Sequence, residues 1–178
     1  SQKNLFFEGS AHVPLLIMPP QGRSLPHNIS VEAPADLVDI YPTILAMAGL
    51  SSPVSVSGKN LLEPVPMDRM FFGNSLNKNF CVMEEKVKLV YSAVGDHVLL
   101  FDLNTDPMEQ HNLAEDPAWQ ERKAKLWKLL LKHTAQYTPE ALDENGQFLT
   151  YEAPHFPGDV PGRWFGFHYH DYSVDTFH

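Results

Sequence analysis

Apolar residues recur along this chain with more than one period, and each period predicts a different element. Val13-Pro14-Leu15-Leu16-Ile17-Met18 is a largely apolar run closed by Pro19-Pro20, the pattern of a short strand buried on both faces. Such a strand needs parallel neighbours and covering helices, which residues 1–60 do not supply, so further chain is expected before residue 1. Leu37, Ile40, Tyr41, Ile44, Leu45 and Ala48 follow helical spacing. Pro42 suits a first turn, which predicts a turn at 36–41 and a helix from 42 that stops at Gly49. The period then shortens: 69–72, 80–83, 87–91 and 97–101 are β-prone runs divided by turn formers. Gly73-Asn74 marks one turn and Gly95-Asp96 a hairpin, so a small antiparallel sheet is expected. Asp116 as N-cap and Pro117 at the first position open a long helix running to Tyr137. Its apolar stripe is Trp127, Leu130, Leu131 and Thr134, expected to pack on the sheet. Beyond Pro139 the chain is irregular and aromatic, and is expected to wrap over another surface.

Composition narrows the partners. The chain has 178 residues, 43% hydrophobic and 20% charged, with 13 basic against 22 acidic side chains and a net charge of -9. That balance disfavours nucleic acid, whose phosphates need concentrated Lys and Arg, and disfavours an anionic membrane surface. A local anion site needs only one or two placed cations. No apolar run approaches the roughly 18–20 residues of a membrane-spanning helix. The first residues lack the basic-then-apolar pattern of a signal peptide, and Asn28-Ile29-Ser30 assigns no compartment. The single cysteine, Cys81, can form neither an intrachain disulfide nor a thiolate cluster, and is expected as a buried structural thiol.

Candidate chemistry is concentrated at the start. Lys3, Glu8, the small Gly9-Ser10 pair and His12 share a loop just before the run at 13–18, and loops at strand ends of α/β sheets often bind ligands. A lysine suits a tetrahedral oxyanion as a point charge with three donors, and Glu8 can lock the loop by accepting backbone or Lys/Arg hydrogen bonds. The residues alone leave a second reading open, a surface loop whose Lys3–Glu8 pair contributes under about 1 kcal/mol. Glu84-Glu85 reads as a solvated turn rather than a metal pair, since adjacent strand residues point to opposite faces. His168 and His170 read as aromatic packing with polar tips, there being no third ligand nearby in sequence.

Residues 3–14 match Lys-x3-[Tyr/Phe]-Glu-Gly-[Gly/Ser]-x-[Arg/His]-x-Pro at every defined position, and the segment resembles a recurrent one of sulfatases, members of the alkaline phosphatase superfamily. The resemblance is collinear over most of the chain. Val38-Asp39-Ile40-Tyr41-Pro42-Thr43-Ile44-Leu45 with Ala48-Gly49 is similar to the family's D-x-x-P-T-[IL]-L…AG helix, and Gly58-Lys59-Asn60-Leu61 to its G-[KR]-S-L segment. Leu100-Phe101-Asp102-Leu103-Asn104-Thr105-Asp106-Pro107-Met108-Glu109 with Asn112-Leu113-Ala114 is similar to its L-[YF]-D-L-x-x-D-P-x-E-x-x-N-L-A turn. Trp164-Phe165-Gly166-Phe167-His168 and Asp175-Thr176-Phe177-His178 resemble the ending of one bacterial sulfatase branch.

The resemblance implies a fold and a chemistry. The expected fold is α/β: the edge of a large sulfatase sheet over residues 1–67, an antiparallel four-stranded sheet with a long helix over 68–138, and an aromatic tail over 139–178. Lys3 matches the lysine that contacts the substrate's sulfate, and His12, standing where many relatives have Arg, is expected to stabilise the loop. Trp164, His168 and His170 become candidates for substrate choice, because the tail in relatives can reach the active-site rim. The complete enzyme is expected to hydrolyse a sulfate ester with a formylglycine nucleophile and a calcium or magnesium ion. The formylglycine comes from a [CS]-x-[PA]-x-R motif that neither Cys81 nor Ser51-Ser52-Pro53-Val54-Ser55 matches, so nucleophile and metal ligands are expected in an N-terminal sulfatase segment, and this chain alone is expected to be inactive. Two alternatives stand beside this reading: a non-catalytic binding module acting through a partner chain or a sugar, and a phosphodiesterase or phosphonate monoester hydrolase of the same superfamily.

Overall fold

The computed structural model describes residues 6–18 and 29–152; Lys3, Trp164, His168 and His170 lie outside them. The chain forms two compact units, one from residues 1–13 and 70–178 and the other from 14–69. In chain order the main elements are α1 (Glu8–Ala11), α2 (Ile40–Ala48), β1 (Phe71–Ser75), β2 (Asn79–Glu84), β3 (Val87–Ser92), β4 (His97–Asp102) and α3 (Gln120–Tyr137). The class is mixed α/β, with a four-stranded antiparallel sheet and a long helix, as the periodicities predict.

The strands pair in the order β1-β2-β3-β4, every pair antiparallel. Register sorts their side chains onto two faces. Phe72, Val82, Leu89 and Leu100 form one cross-strand row and Phe80, Tyr91 and Val98 the next; these pack with α3 into the main core. The Phe148 ring lies tilted with its centroid 4.6 Å from those of both Phe80 and Tyr91, and Trp127 meets Tyr91 edge-on at 4.9 Å. The other face carries Gly73, Cys81, Val90 and Leu99 in one row and Met83, Lys88 and Phe101 in another.

Helix α3 begins as expected, with Asp116 accepting from the Ala118 N–H at 2.9 Å and Pro117 just inside a 3-10 turn (Pro117–Trp119). Its buried line is Leu126, Leu130 and Thr134, a strict i, i+4 series. Leu126 therefore replaces Trp127 in the predicted stripe, and the Trp127 ring packs at the edge of the core. Arg122 and Lys125 reach Glu84 at 2.8 and 2.6 Å, and Arg122 reaches Glu85 at 3.2 Å, so the Glu84-Glu85 turn is pinned to the helix by charge.

Two expectations give way to tertiary context. Gly73-Asn74 is not a turn but the middle of β1; the turn lies at Leu76 and Asn77, both at positive φ (57° and 54°). Gly73 is glycine because a Cβ there would run into the Phe6 ring. The Ser75 carbonyl closes the turn by accepting from the Lys78 N–H at 3.2 Å, and Asn74 Oδ1 supports it by accepting from the Asn77 N–H at 3.0 Å. Residues 13–18 carry no strand, and Leu16 is 93% exposed. A strand exists only through a hydrogen-bonded neighbour, and no described strand pairs with this run.

The smaller unit is organised by one carboxylate. A 3-10 turn (Leu37–Asp39) leads into α2, with Asp36 accepting from the Leu37 N–H and Asp39 Oδ2 from the Asp36 N–H, at 2.6 and 2.7 Å. The helix starts at Ile40 rather than 42, which leaves Pro42 inside the first turn where no N–H is needed. Gly49, at φ 73°, closes it. Buried Asp39 also accepts from the Lys59 N–H at 2.7 Å and from both ends of the Arg69 fork at 2.5 and 2.9 Å. Gly58 fits because a Cβ would collide with the Val38 carbonyl. In the Gly58-Lys59 segment, then, glycine permits close approach and Lys59 contributes its backbone N–H to Asp39.

Burial alone would raise the Asp39 pKa, but Arg69 and the Lys59 and Asp36 N–H groups outweigh it and hold the carboxyl below its ordinary 3.8. A depressed folded-state pKa gives stability that is complete above the unfolded value and lost as pH falls through the folded one. Protection of the Lys59 amide, measured against its intrinsic exchange rate, is therefore expected to fall as pH drops below 3.8. Asp39→Asn should flatten that dependence; an unchanged profile would show that another group controls it.

Candidate functional site

The sheet face opposite α3 is where residues 6–12 lie. Phe6 and Phe7 pack on Cys81, Val90, Leu99 and Phe101, with the Phe7 and Phe101 centroids 5.9 Å apart. Helix α1 is a single turn, held by Ser10 and Ala11 N–H bonds to the Phe7 carbonyl, both 2.8 Å. One turn of helix is unstable by itself, so this segment depends on what the sheet offers it.

The sheet offers Lys88. Its position in β3 directs the side chain onto this face beside Val90, and the residue is only 2% exposed. Its Nζ donates to the Phe6 carbonyl at 2.8 Å and to Glu8 Oε1 at 2.6 Å. Glu109 Oε1 lies 2.6 Å from the same nitrogen, close enough for an ion pair but off the hydrogen-bonding direction. Glu109 Oε2 accepts from the Glu8 N–H at 2.5 Å. Glu8 Oε2 meets His12 Nδ1 at 2.9 Å, and the His12 side chain is 79% exposed. His12 thus sits at the solvent edge of a chain of contacts running Glu109, Lys88, Glu8, His12.

Glu109 reaches this place because the turn after β4 is tightly specified. Asp102 accepts from the Asn104 N–H at 3.1 Å and from Thr105 Oγ1 at 2.9 Å, and its carbonyl accepts from the Asp106 N–H at 2.8 Å. Asp106 Oδ2 accepts from the His111 N–H at 2.8 Å. Burial pushes both aspartates up, but these hydrogen bonds win and hold them below the ordinary range. Asn112 Oδ1 accepts from the Leu100 and Ala114 N–H groups at 2.9 and 3.0 Å, fastening the exit back to the sheet. Within this motif Asp102, Asp106 and Asn112 shape the turn, Phe101 packs on Phe7, and Glu109 brings a carboxylate to residues 6–12.

Sequence reasoning anticipated that Glu8 would lock its loop but missed the partners. Lys88 had a readable signal: it interrupts Val87-Lys88-Leu89-Val90-Tyr91, and a lysine inside a strand buried on both faces must find anions. Glu109 had none in periodicity, because its backbone stands at φ 55°, where Glu is uncommon.

Residues 1–136 match the family described as N-sulphoglucosamine sulphohydrolase, C-terminal. The chain belongs to this sulfatase family. It is 34% identical over 131 residues to arylsulfatase K of Bos taurus, covering 63% of this chain and 24% of that one. To choline-sulfatase of Rhizobium meliloti (strain 1021) it is 35% identical over 150 residues, covering 78% and 28%. The chain therefore spans about a quarter of the length of these relatives. Among solved structures it is similar to a 2-O GAG sulfatase (TM-score 0.48, 22% identity, covering 59% of this chain and 26% of that one). It is similar also to the phosphonate monoester hydrolase of Agrobacterium radiobacter (TM-score 0.46, 26% identity, 65% and 29%). The family, and the antiparallel sheet with its long helix, are as the motifs implied.

Sulfatases use a formylglycine and a metal ion. Among the described residues no group of three or more His, Cys, Asp or Glu side chains is arranged to hold a metal. Cys81 is enclosed, its thiol pushed up to about 12 by burial. The described residues do not fit either group, and no chemical step is assigned to them through one.

Proposed function

We propose that the complete protein carrying this chain hydrolyses sulfate esters, with Lys3 contacting the sulfate group of the substrate. Membership of the sulfatase family supports the class, and one geometric observation carries the local reading. The Glu8 of the lysine-bearing motif is fastened by Lys88 to the Glu109 of the D-P-x-E motif, so segments that resemble sulfatase motifs in sequence also meet in space. A lysine suits the role because it presents a compact charge to a sulfate oxygen as charge moves onto the leaving group. The formylglycine nucleophile and a calcium or magnesium ion are proposed to be held by residues outside this chain, in an N-terminal sulfatase segment. His12 steadies the loop through Glu8, and Trp164, His168 and His170 are proposed to influence substrate choice.

The test is a substrate panel on the complete polypeptide: an aryl sulfate, choline sulfate, a phosphonate monoester and a phosphodiester, each at saturating concentration. Turnover of a sulfate ester well above the phosphoryl substrates is the expected result. Preference for the phosphonate or phosphodiester would move the chain to that branch of the superfamily. Absence of turnover on all four, with tight binding to another chain, would establish the non-catalytic module instead.

A further inference from the structure

We infer that Glu109 and Lys88 are positioning residues, which set the place of Lys3 by fixing the backbone just after it; this rests on the sulfatase reading of Lys3. The tie is made by residues distant in sequence, Lys88 being 82 positions from Phe6 and Glu109 being 101 from Glu8. It takes hold of the backbone itself. Lys88 binds the Phe6 carbonyl, and Glu109 binds the Glu8 N–H.

Attachment alone would not require such a device. Phe6 and Phe7 already rest on an apolar face, and apolar contact is non-directional, so rings by themselves would let the segment slide. Burying an ammonium and carboxylates in this place is costly compared with an apolar substitute of similar volume. What the ions add is a fixed register: two hydrogen bonds to backbone groups, along set directions, at 2.8 and 2.5 Å. Glu109 moreover holds a left-handed backbone, φ 55°, that a glycine would adopt more readily.

The consequence reaches Lys3 through a short lever. Only Asn4 and Leu5 lie between Lys3 and Phe6, a span of at most about 10 Å fully extended. A shift of about 1 Å in a group that contacts the reacting centre can cost on the order of 100-fold in rate. The carboxylate at position 109 therefore acts on sulfate transfer without touching substrate, by holding the base of that lever.

The experiment is a double-mutant cycle on the complete polypeptide, read as kcat and KM for an aryl sulfate. Glu109→Gly removes the carboxylate and suits the left-handed backbone, so folding is not put at risk by strain. It is expected to lower kcat by about 10- to 100-fold, with a smaller change in KM. In a Lys3→Met background the same change should add no more than about 2-fold, because the two residues act through one contact. Glu109→Gln, which keeps an oxygen for the Glu8 N–H, should recover part of the loss. Fully additive losses, or wild-type kcat in Glu109→Gly, overturn the positioning role while leaving the sulfatase reading intact. Absence of turnover by the wild-type protein removes the sulfatase reading, and the positioning role with it.

Discussion

Lys88→Met is expected to lower unfolding stability by about 3–5 kcal/mol, the cost of leaving buried charge without its partner. Methionine nearly matches the lysine stem in length, so lost packing is a minor part of the effect. The carboxylates dominate: Glu109 is 3% exposed and Glu8 27% by side chain, and both lose the one cation between them. Glu8 can turn toward His12 and water, which places the expected value at the lower end. Glu109 has no such escape. Denaturant unfolding followed by circular dichroism would measure the change, and a second substitution tests its cause. Glu109→Gln in the Lys88→Met background should restore much of the loss, because a neutral amide no longer needs the ammonium. A Lys88→Met protein within about 1 kcal/mol of wild type, where ordinary surface changes fall, would show that solvent reaches the cluster.

The same cluster explains which parts of this molecule the sequence makes legible. Local signals that act within one element read correctly. Asp116-Pro117 opens the long helix, Gly49 ends α2, and Gly95 with Asp96 turns β3 into β4 at φ 78° and 55°. Signals whose cause lies elsewhere in the chain read wrongly. Gly73 looks like a turn residue until Phe6 is seen lying over it. Residues 13–18 form no strand among the described residues, where the parallel neighbours expected before residue 1 are not part of the chain. Leu126 joins Leu130 and Thr134 on the buried line of α3, and Trp127 packs beside it at the edge of the core, because a large ring can reach the sheet from a flanking position.

The candidate site divides in the same way. The motif that includes Glu8 and the motif that includes Glu109 are each visible as strings of residue types. Besides the direct bond from the Glu8 N–H to Glu109, what joins them is Lys88, a charged residue in a largely apolar strand, and neither string includes it. Resemblance marked the two strings, whereas side-chain geometry shows how they become one scaffold. Asp102, Asp106 and Asn112 belong to the second string for a related reason: each closes a turn by accepting backbone N–H groups, while the Glu109 carboxylate reaches outward to the Glu8 N–H.

Lys3→Met is expected to reduce kcat for an aryl sulfate by about 10²- to 10³-fold, the usual cost of losing one charge-stabilising contact in a transition state. The split between constants carries the argument. If Lys3 strengthens its hold as charge moves to the leaving oxygen, kcat and kcat/KM fall together; if it only binds the ground state, KM rises and kcat is unchanged. Lys3→Arg is not expected to restore the rate, because a planar fork presents its donors differently from a compact ammonium on a flexible stem. Stability offers the control. Lys88→Met should perturb unfolding and rate together, whereas Lys3→Met should leave the unfolding curve near wild type while the rate collapses. Should Lys3→Met retain kcat within about 2-fold, the sulfate contact belongs to another residue, and the scaffold of Lys88 and Glu109 would be supporting a loop with no part in the chemistry.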